Sequence, residues 1–400
     1  MYSSYSPLQQ SQLAAQGYYD TQSTYLLVYA PGRNTALRAT LADQLHRKFR
    51  LADTLGSALT EGVDGVLLVS EDVECMSTAL MCFAKALQDG ADYAVCNAVF
   101  GFGGATALYQ SRAHLAQNRC ALVSRPLLER CRAAAKDPEN VTELLALAAQ
   151  FCAHPARIPQ ALLHYERDIC AEDAFSATGK RAFLMSHVLD MTGAPIVLVS
   201  AVPVLRSMGY EVVVLGPSDG GALQLFVDAG AAVITRPGIR ATPNLWGLAL
   251  CTDLVLVNTV VMARTVRALS GTAVPVLWWL HDAFAGYPHI AHQIPTQLGE
   301  NVRIYSVGSH AANAMHAVRP EFEIRPLIYG LPDYAAENFV RTDLGYNRGR
   351  PLFATVGSFE RRKGHDIFCK AIRLLPPEVR EKASFLFVGQ AADKEMMDSV

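Results

Sequence analysis

An alternation repeated across the second half of the chain does most to constrain its fold. Apolar runs recur in "RAFLMSH", "YEVVVLGP", "AAVITRP", "TDLVLVNT", "VPVLWWLHD" and "VRIYSVGSH", with helix-like segments such as "LQLFVDAG" and "HAANAMHAV" between them. Runs without polar breaks fit strands buried on both faces, as parallel strands are. Parallel neighbours need crossover connections, and the helical segments supply them. The expected fold class is therefore α/β, with a doubly wound, Rossmann-like sheet from about residue 180 to residue 335.

Before that half, residues 24–175 show a weaker version of the same wiring. "TYLLVYAP", "GVLLVSEDVE" and "DYAVCNAVF" read as strands. "TALRATLADQLHRKF", "ADTLGSALTEG" and "STALMCFAKALQDG" read as helices, the second closed by Gly62 and the third by Gly90. A mainly parallel sheet is expected here too. The glycine-rich "FGFGGATAL" lacks a strand-to-helix context and is expected to be a flexible loop. Residues 1–23 are polar and expected to be a disordered lead-in. After "PLIYGLPDYAAENF" and "RTDLGYNRGR", read as a linker, the wiring restarts with "PLFATVGSFERRKG" and runs through residues 345–400. A single β-α-β unit cannot bury its own sheet, so this last domain is expected to be truncated.

Composition removes several function classes. The chain has 400 residues, of which 51% are hydrophobic and 18% charged, so large cores can form. A net charge of −2 argues against a broad nucleic-acid surface. The nine cysteines are odd in number and form no C-x-x-C pair, which fits a reducing cytosol better than disulfides or zinc. No opening signal peptide is evident. The most membrane-like stretch, "MTGAPIVLVSAVPVL", is too short to span a bilayer and contains two prolines.

Three places carry candidate chemistry. In "DMTGAP", Thr192 and Gly193 stand where a strand passes into a helix, and helix starts offer free N–H groups to anions. At the end of "VPVLWWLHD" the apolar run stops at His281 and Asp282. In open α/β sheets ligands bind at the carboxyl ends of strands, where a histidine can act as base or hydrogen-bond partner. In "GSFERRKGHD", Gly357, Arg361, Arg362, Lys363 and Gly364 form a cationic turn between strand and helix, suited to a pyrophosphate. Each place also has a plain structural reading: a loop, a core histidine, a solvated basic turn. Together they point to phosphate-binding features facing one cleft.

These residues resemble a known family. "SHVLDMTGAPIVLVSAVPVLRSMGYEVVVLGP", "VLWWLHD", "IYGLPD" and "GSFERRKGHDIFCKAIRLLP" are similar, in order, to segments of GT-B fold glycosyltransferases of family 4. The resemblance implies transfer of a sugar, hexosyl in type, from a nucleotide-diphosphate donor with retention of anomeric configuration. It places the Thr192–Gly193 loop near the donor phosphates, His281 beside the transferred sugar, and Lys363 on the pyrophosphate with Arg362 in support. It implies no metal and no cofactor for this part. It also implies a glycan or lipid-linked acceptor, as in polysaccharide biosynthesis, no nucleic-acid partner, and a cytoplasmic site against the inner membrane face. Family members often carry Gly-Arg where this chain has Gly357–Ser358, and the family's paired glutamates would lie beyond Val400.

Residues 24–175 resemble a degenerate GT-A glycosyltransferase of family 2, through "GVDGVLLVSEDVECMSTALMCFAKALQDGADYAV", "CALVSRPLLERC" and "ARIPQALLHYERD". That family holds a divalent metal at an Asp-rich strand end; here the stretch is Ser70, Glu71, Asp72. Its base lies in a Glu-Asp pair, matched here by Glu139–Asn140. Glu71, Asp72 and Glu74 are thus either a solvated strand end or a retained metal site. The fold expected for the whole chain is a GT-A-like region, a doubly wound GT-B domain, and the start of a second. The competing reading is a non-catalytic binding or scaffolding module. A nicotinamide-dependent enzyme is disfavoured because no G-x-G-x-x-G follows "RAFLMSH".

Overall fold

The apolar runs of the second half become seven parallel strands in the computed structural model. The structure describes residues 18–56, 58–59, 62–101, 105–239, 246–284, 287–330 and 349–389, without the side chains of residues 18–20, 246 and 362. They fall in two compact units, Met1–Gly330 and Leu331–Val400.

In chain order the strands of the first unit are β1 (Leu26–Tyr29), β2 (Phe49–Ala52), β3 (Gly65–Val69), β4 (Glu74–Cys75), β5 (Tyr93–Phe100), β6 (Thr106–Tyr109), β7 (Cys120–Ser124) and β8 (Pro155–Tyr165). Then follow β9 (Lys180–Met185), β10 (Tyr210–Gly216), β11 (Ala232–Thr235), β12 (Leu254–Asn258), β13 (Val276–Leu280), β14 (Val302–Ser306) and β15 (Ile324–Pro326). All belong to one sheet, whose main path runs β15-β14-β13-β12-β9-β10-β11-β6-β5-β7-β3-β1-β2. The segment from β15 to β11 is wholly parallel. Its chain runs outward from β9 through β10 to β11, returns to β12 beside β9, and runs outward the other way. The carboxyl edge between β9 and β12 is therefore a topological switch point, where such sheets bind ligands.

The first half departs from the mainly parallel sheet that its alternation predicts. β1 runs parallel to β2 and β3, but β7 is antiparallel to both β3 and β5, and β6 is antiparallel to β5. The predicted helix at 52–62 is replaced by a strand end at Ala52 and then by turns among the described residues. Its first amides are taken elsewhere: Leu55 N and Gly56 N donate to the Glu139 carboxylate at 2.7 and 3.1 Å. The preceding helix is short, Thr35–Leu41, and Phe49–Ala52 is strand. The lead-in also differs at its end, because Tyr18–Ser23 form a 3-10 helix, with buried Thr21 bonded to His46. Part of the glycine-rich "FGFGGATAL" lies outside the described residues, and Thr106–Tyr109 form β6 rather than a loop.

That overlooked strand joins the two halves. β6 pairs antiparallel with β11 through Tyr109↔Val233, Leu108↔Ile234 and Ala107↔Thr235. The Tyr109 hydroxyl donates to Asp219 beyond β10. On one face a single apolar core runs from Leu26 and Phe83 to Phe183, Val257 and Trp278. On the other, two separate clusters form around Tyr93 and around Phe226. The buried cysteines serve this core: burial pushes the Cys75 and Cys82 thiols up to about 12. The apolar helix Gly193–Ser207 covers the sheet, and no helix among the described residues is long and apolar enough to cross a membrane.

The second unit holds β16 (Leu352–Val356) and β17 (Ser384–Val388), paired in parallel, with the helix His365–Leu374 between them. Phe353, Val356, Ile367 and Leu374 are exposed there. The expected linker at 331–348 lies outside the described residues.

Because β6 and β11 cover one another's edges, the halves should not separate cleanly. A fragment of residues 18–177 is expected to self-associate through β6, while residues 18–330 unfold in one transition. A monomeric 18–177 fragment with a sharp urea transition would contradict this. Tyr109→Phe should cost about 1 kcal/mol in urea unfolding of the whole chain.

Candidate functional site

At the switch point three strand ends deliver side chains to one edge. Ser186 and His187 follow β9, Asn258 closes β12 and Thr259 follows it, and His281 and Asp282 follow β13. Strand alternation sends Trp278 into the core, where its indole Nε1 donates to Thr259 O at 2.8 Å. The indole of Trp279 donates to Leu327 O at 3.1 Å and its ring lies 4.8 Å from that of His281. The tryptophan pair thus fixes how the chain leaves β12 and β13.

His281 keeps one ring nitrogen uncommitted to the fold. Its Nε2 is buried with no hydrogen-bond partner among the described residues. Burial, and next the charge of His187, hold its pKa down at about 4. It is therefore a neutral imidazole at ordinary pH, able to bond a sugar hydroxyl. Asp282 is committed: its carboxylate accepts from Val260 N at 2.6 Å. Burial raises its pKa, opposed by backbone amides. The aspartate locks the turn after β12 and leaves the chemistry of this edge to its neighbour.

Thr192 caps the helix Gly193–Ser207 without a side-chain bond to it; its amide and hydroxyl turn back to Asp190. A Cβ at Gly193 would meet nothing within 4 Å among the described residues, so none of them requires glycine there. Buried Asn258 ties the helix start to the sheet, its Nδ2 donating to Ala194 O at 3.0 Å. The glycines of "GPSDGG" serve the fold instead: a Cβ at Gly220 would sit 2.3 Å from Leu189 O.

Sequence reasoning missed Thr259 and His187. Thr259 has φ of 73°, the one non-glycine at positive φ among the described residues. A left-handed residue with a Cβ costs on the order of 1–3 kcal/mol. Its Oγ1 lies 3.1 Å from His187 Nδ1. No local pattern announces such a backbone; the only available signal was the polar pair Asn258–Thr259 closing an apolar strand.

In the second unit, Gly357 follows β16 and donates its N–H to Val388 O at 2.8 Å. Arg361–Lys363 form a 3-10 turn closed by Gly364 at φ of 71°, which also caps the helix His365–Leu374. Arg361 and Lys363 are exposed and have no carboxylate partner among the described residues. The Arg362 side chain lies outside the described residues. Lys363 lays its methylenes over Gly357, its Cδ 3.5 Å from where a Cβ would stand there.

The acidic strand end of the first half is used up internally. Asp72 accepts from Thr35 N, Ala36 N and Leu37 N at 3.0–3.1 Å, capping the helix Thr35–Leu41 from across the loop. Those bonds outweigh burial and lower its pKa. Glu71 pairs with Arg167 at 2.6 Å, and Arg167 also holds buried Asp173. Glu74 pairs with His164 at 2.7 Å. No group of three metal-ligating side chains exists among the described residues. Glu139 holds Leu55, Gly56 and Tyr29, and Asn140 caps the helix Val141–Phe151.

With this geometry the chain can be set against known proteins. Residues 178–320 match the family model described as glycosyl-transferase family 4. The doubly wound half is thus similar to glycosyltransferase family 4 over those residues. The match takes in His187, Gly193, Thr259, His281 and Asp282 and ends before the cationic turn. Among solved structures, an α-glucosyltransferase in complex with UDP and a 13-mer DNA is similar at 10% identity, over 56% of this chain and 70% of that one, with a TM-score of 0.34. A likeness at that level carries no argument about this site. No curated protein matches the chain.

Two outcomes follow. Asp72→Ala should lose about 1–2 kcal/mol of stability, as a lost helix cap does, and Mg²⁺ or Mn²⁺ should not shift the unfolding midpoint of the parent. A metal-dependent midpoint lost in the variant would restore the metal reading. The second concerns pH. His281 stays neutral in the fold down to about 4, whereas an unfolded histidine protonates near 6.5. Its contribution is complete above pH 6.5 and falls as pH drops toward 4, by up to about 1.4 kcal/mol per unit. Urea midpoints should decline through that window, and His281→Gln should flatten the decline; buried His114, also at about 4, accounts for part of what remains.

Proposed function

We propose that this protein is a retaining glycosyltransferase that moves a hexosyl group from a nucleotide-diphosphate donor to a glycan or lipid-linked acceptor. The observation that carries the reading is a neutral His281, its Nε2 without a partner among the described residues, at the switch point of a sheet whose residues 178–320 match the glycosyltransferase family 4 model. In this reading His281 bonds a hydroxyl of the transferred sugar through Nε2. It does not act as an in-line base, because retention does not need one. Asp282 holds the loop that presents it.

The helix start at Thr192 and Gly193 offers backbone N–H groups to donor phosphate oxygens, and open space around Gly193 suits close approach. Lys363, with Arg361 and Arg362, neutralises the diphosphate as the sugar–phosphate bond loosens. Fixed cations stabilise a leaving group without reorganising at the moment of reaction. Gly357 leaves room for the Lys363 stem, and Gly364 ends the turn so that the helix start faces the same edge of its sheet. No metal is assigned to this chemistry.

Residues 24–175 serve in this reading as a non-catalytic extension. The observation favouring that role is that Glu71, Asp72, Glu74 and Glu139 all hold protein groups. Acceptor chemistry, a cytoplasmic place and contact with the inner membrane face belong to the same proposal and rest on the family resemblance.

Lys363→Ala should weaken UDP or GDP binding by about tenfold to a hundredfold, the value of one charged hydrogen bond. Arg361→Ala should do less. Calorimetric titration of the full chain decides between them: unchanged binding in Lys363→Ala would remove Lys363 from the donor site.

A further inference from the structure

Thr259 is a β-branched residue, buried to 1% exposure, in a backbone conformation that glycine adopts freely. The surrounding structure over-determines it. Its N–H donates to Trp279 O at 2.8 Å, its carbonyl accepts from Trp278 Nε1 at 2.8 Å, and its Oγ1 meets His187 Nδ1 at 3.1 Å. The two backbone bonds would survive with glycine at this position. The Oγ1 bond would not. What the threonine adds over the unstrained alternative is therefore its contact with His187.

His187 stands at the carboxyl end of β9 and Thr259 at that of β12, the two strands that flank the switch point. His281 follows β13, next along the edge. Strand β12 stands between β9 and β13, so His187, Thr259 and His281 follow three successive strands of one carboxyl edge. We infer that Thr259 is a positioning residue: its strained backbone aims Oγ1 at His187 Nδ1 and so fixes the placement of that imidazole on the carboxyl edge that also carries His281, the edge where a sugar donor would bind. This rests on the glycosyltransferase reading for the ligand's identity but not for the geometry.

Three variants of the full chain separate the possibilities, with donor hydrolysis of UDP-glucose and GDP-mannose as one readout and His187 ring ¹⁵N shifts as another. Thr259→Val keeps the shape and removes the hydroxyl. It should move the His187 ring nitrogens and lower kcat by about tenfold to a hundredfold, with KM changing by less than about threefold. Thr259→Ser should keep both ring shifts and rate near the parent. Thr259→Gly should raise Tm by roughly 2 °C through relieved strain yet lose rate as the valine variant does. Parent-like kcat and parent-like His187 shifts in both the valine and glycine variants would overturn the inference. If the parent turns over neither donor, the glycosyltransferase reading is what fails. The ring shifts then decide the positioning role alone: moved by valine and kept by serine supports it, unmoved by valine overturns it.

Discussion

The pairing of β6 with β11 is the contact on which the first unit depends. Three residue pairs turn what would be two sheets into one. A strand edge is a row of unpaired amides and carbonyls, and each half would otherwise present one. Once joined, the halves share a continuous core on one face, from Leu26 to Trp278. The switch point lies well inside that sheet, with β10 and β11 on one side of β9 and β13 to β15 beyond β12. Its strand ends are held from both directions, which lets Thr259 keep a conformation that a loosely supported strand end would relax.

The fates of the acidic residues follow from the same economy of partners. A carboxylate near free backbone amides binds them, because charged hydrogen bonds are stronger than neutral ones. Asp72 does so at one helix start, and Glu139 does so where a helix was expected and turns form instead. Glu71 and Glu74 meet Arg167 and His164. The carboxylates of this stretch are thereby spent on holding the fold. At the switch point the balance is reversed: His281 Nε2 has no partner among the described residues and the ring stays neutral, which suits a group that hydrogen-bonds a ligand.

Much of this was legible in the residues. Continuous apolar runs determined β9, β10, β12, β13 and β14, because strands buried on both faces have no polar register to hide. Stops in those runs marked His281 and Asp282, and glycines with cations marked the turn at 357–364. The antiparallel members of the first half were not legible, since alternation of strands and helices says nothing about strand direction. Nor was β6, four residues long, whose worth lies in partners more than a hundred positions away in the sequence. The tertiary structure alone decided that Thr259 is left-handed, that it meets His187, and that Asp282 serves a backbone amide while His281 Nε2 finds no partner among the described residues. Local sequence encodes burial and chain propensity; which polar groups find partners depends on strand ends brought together by the whole sheet.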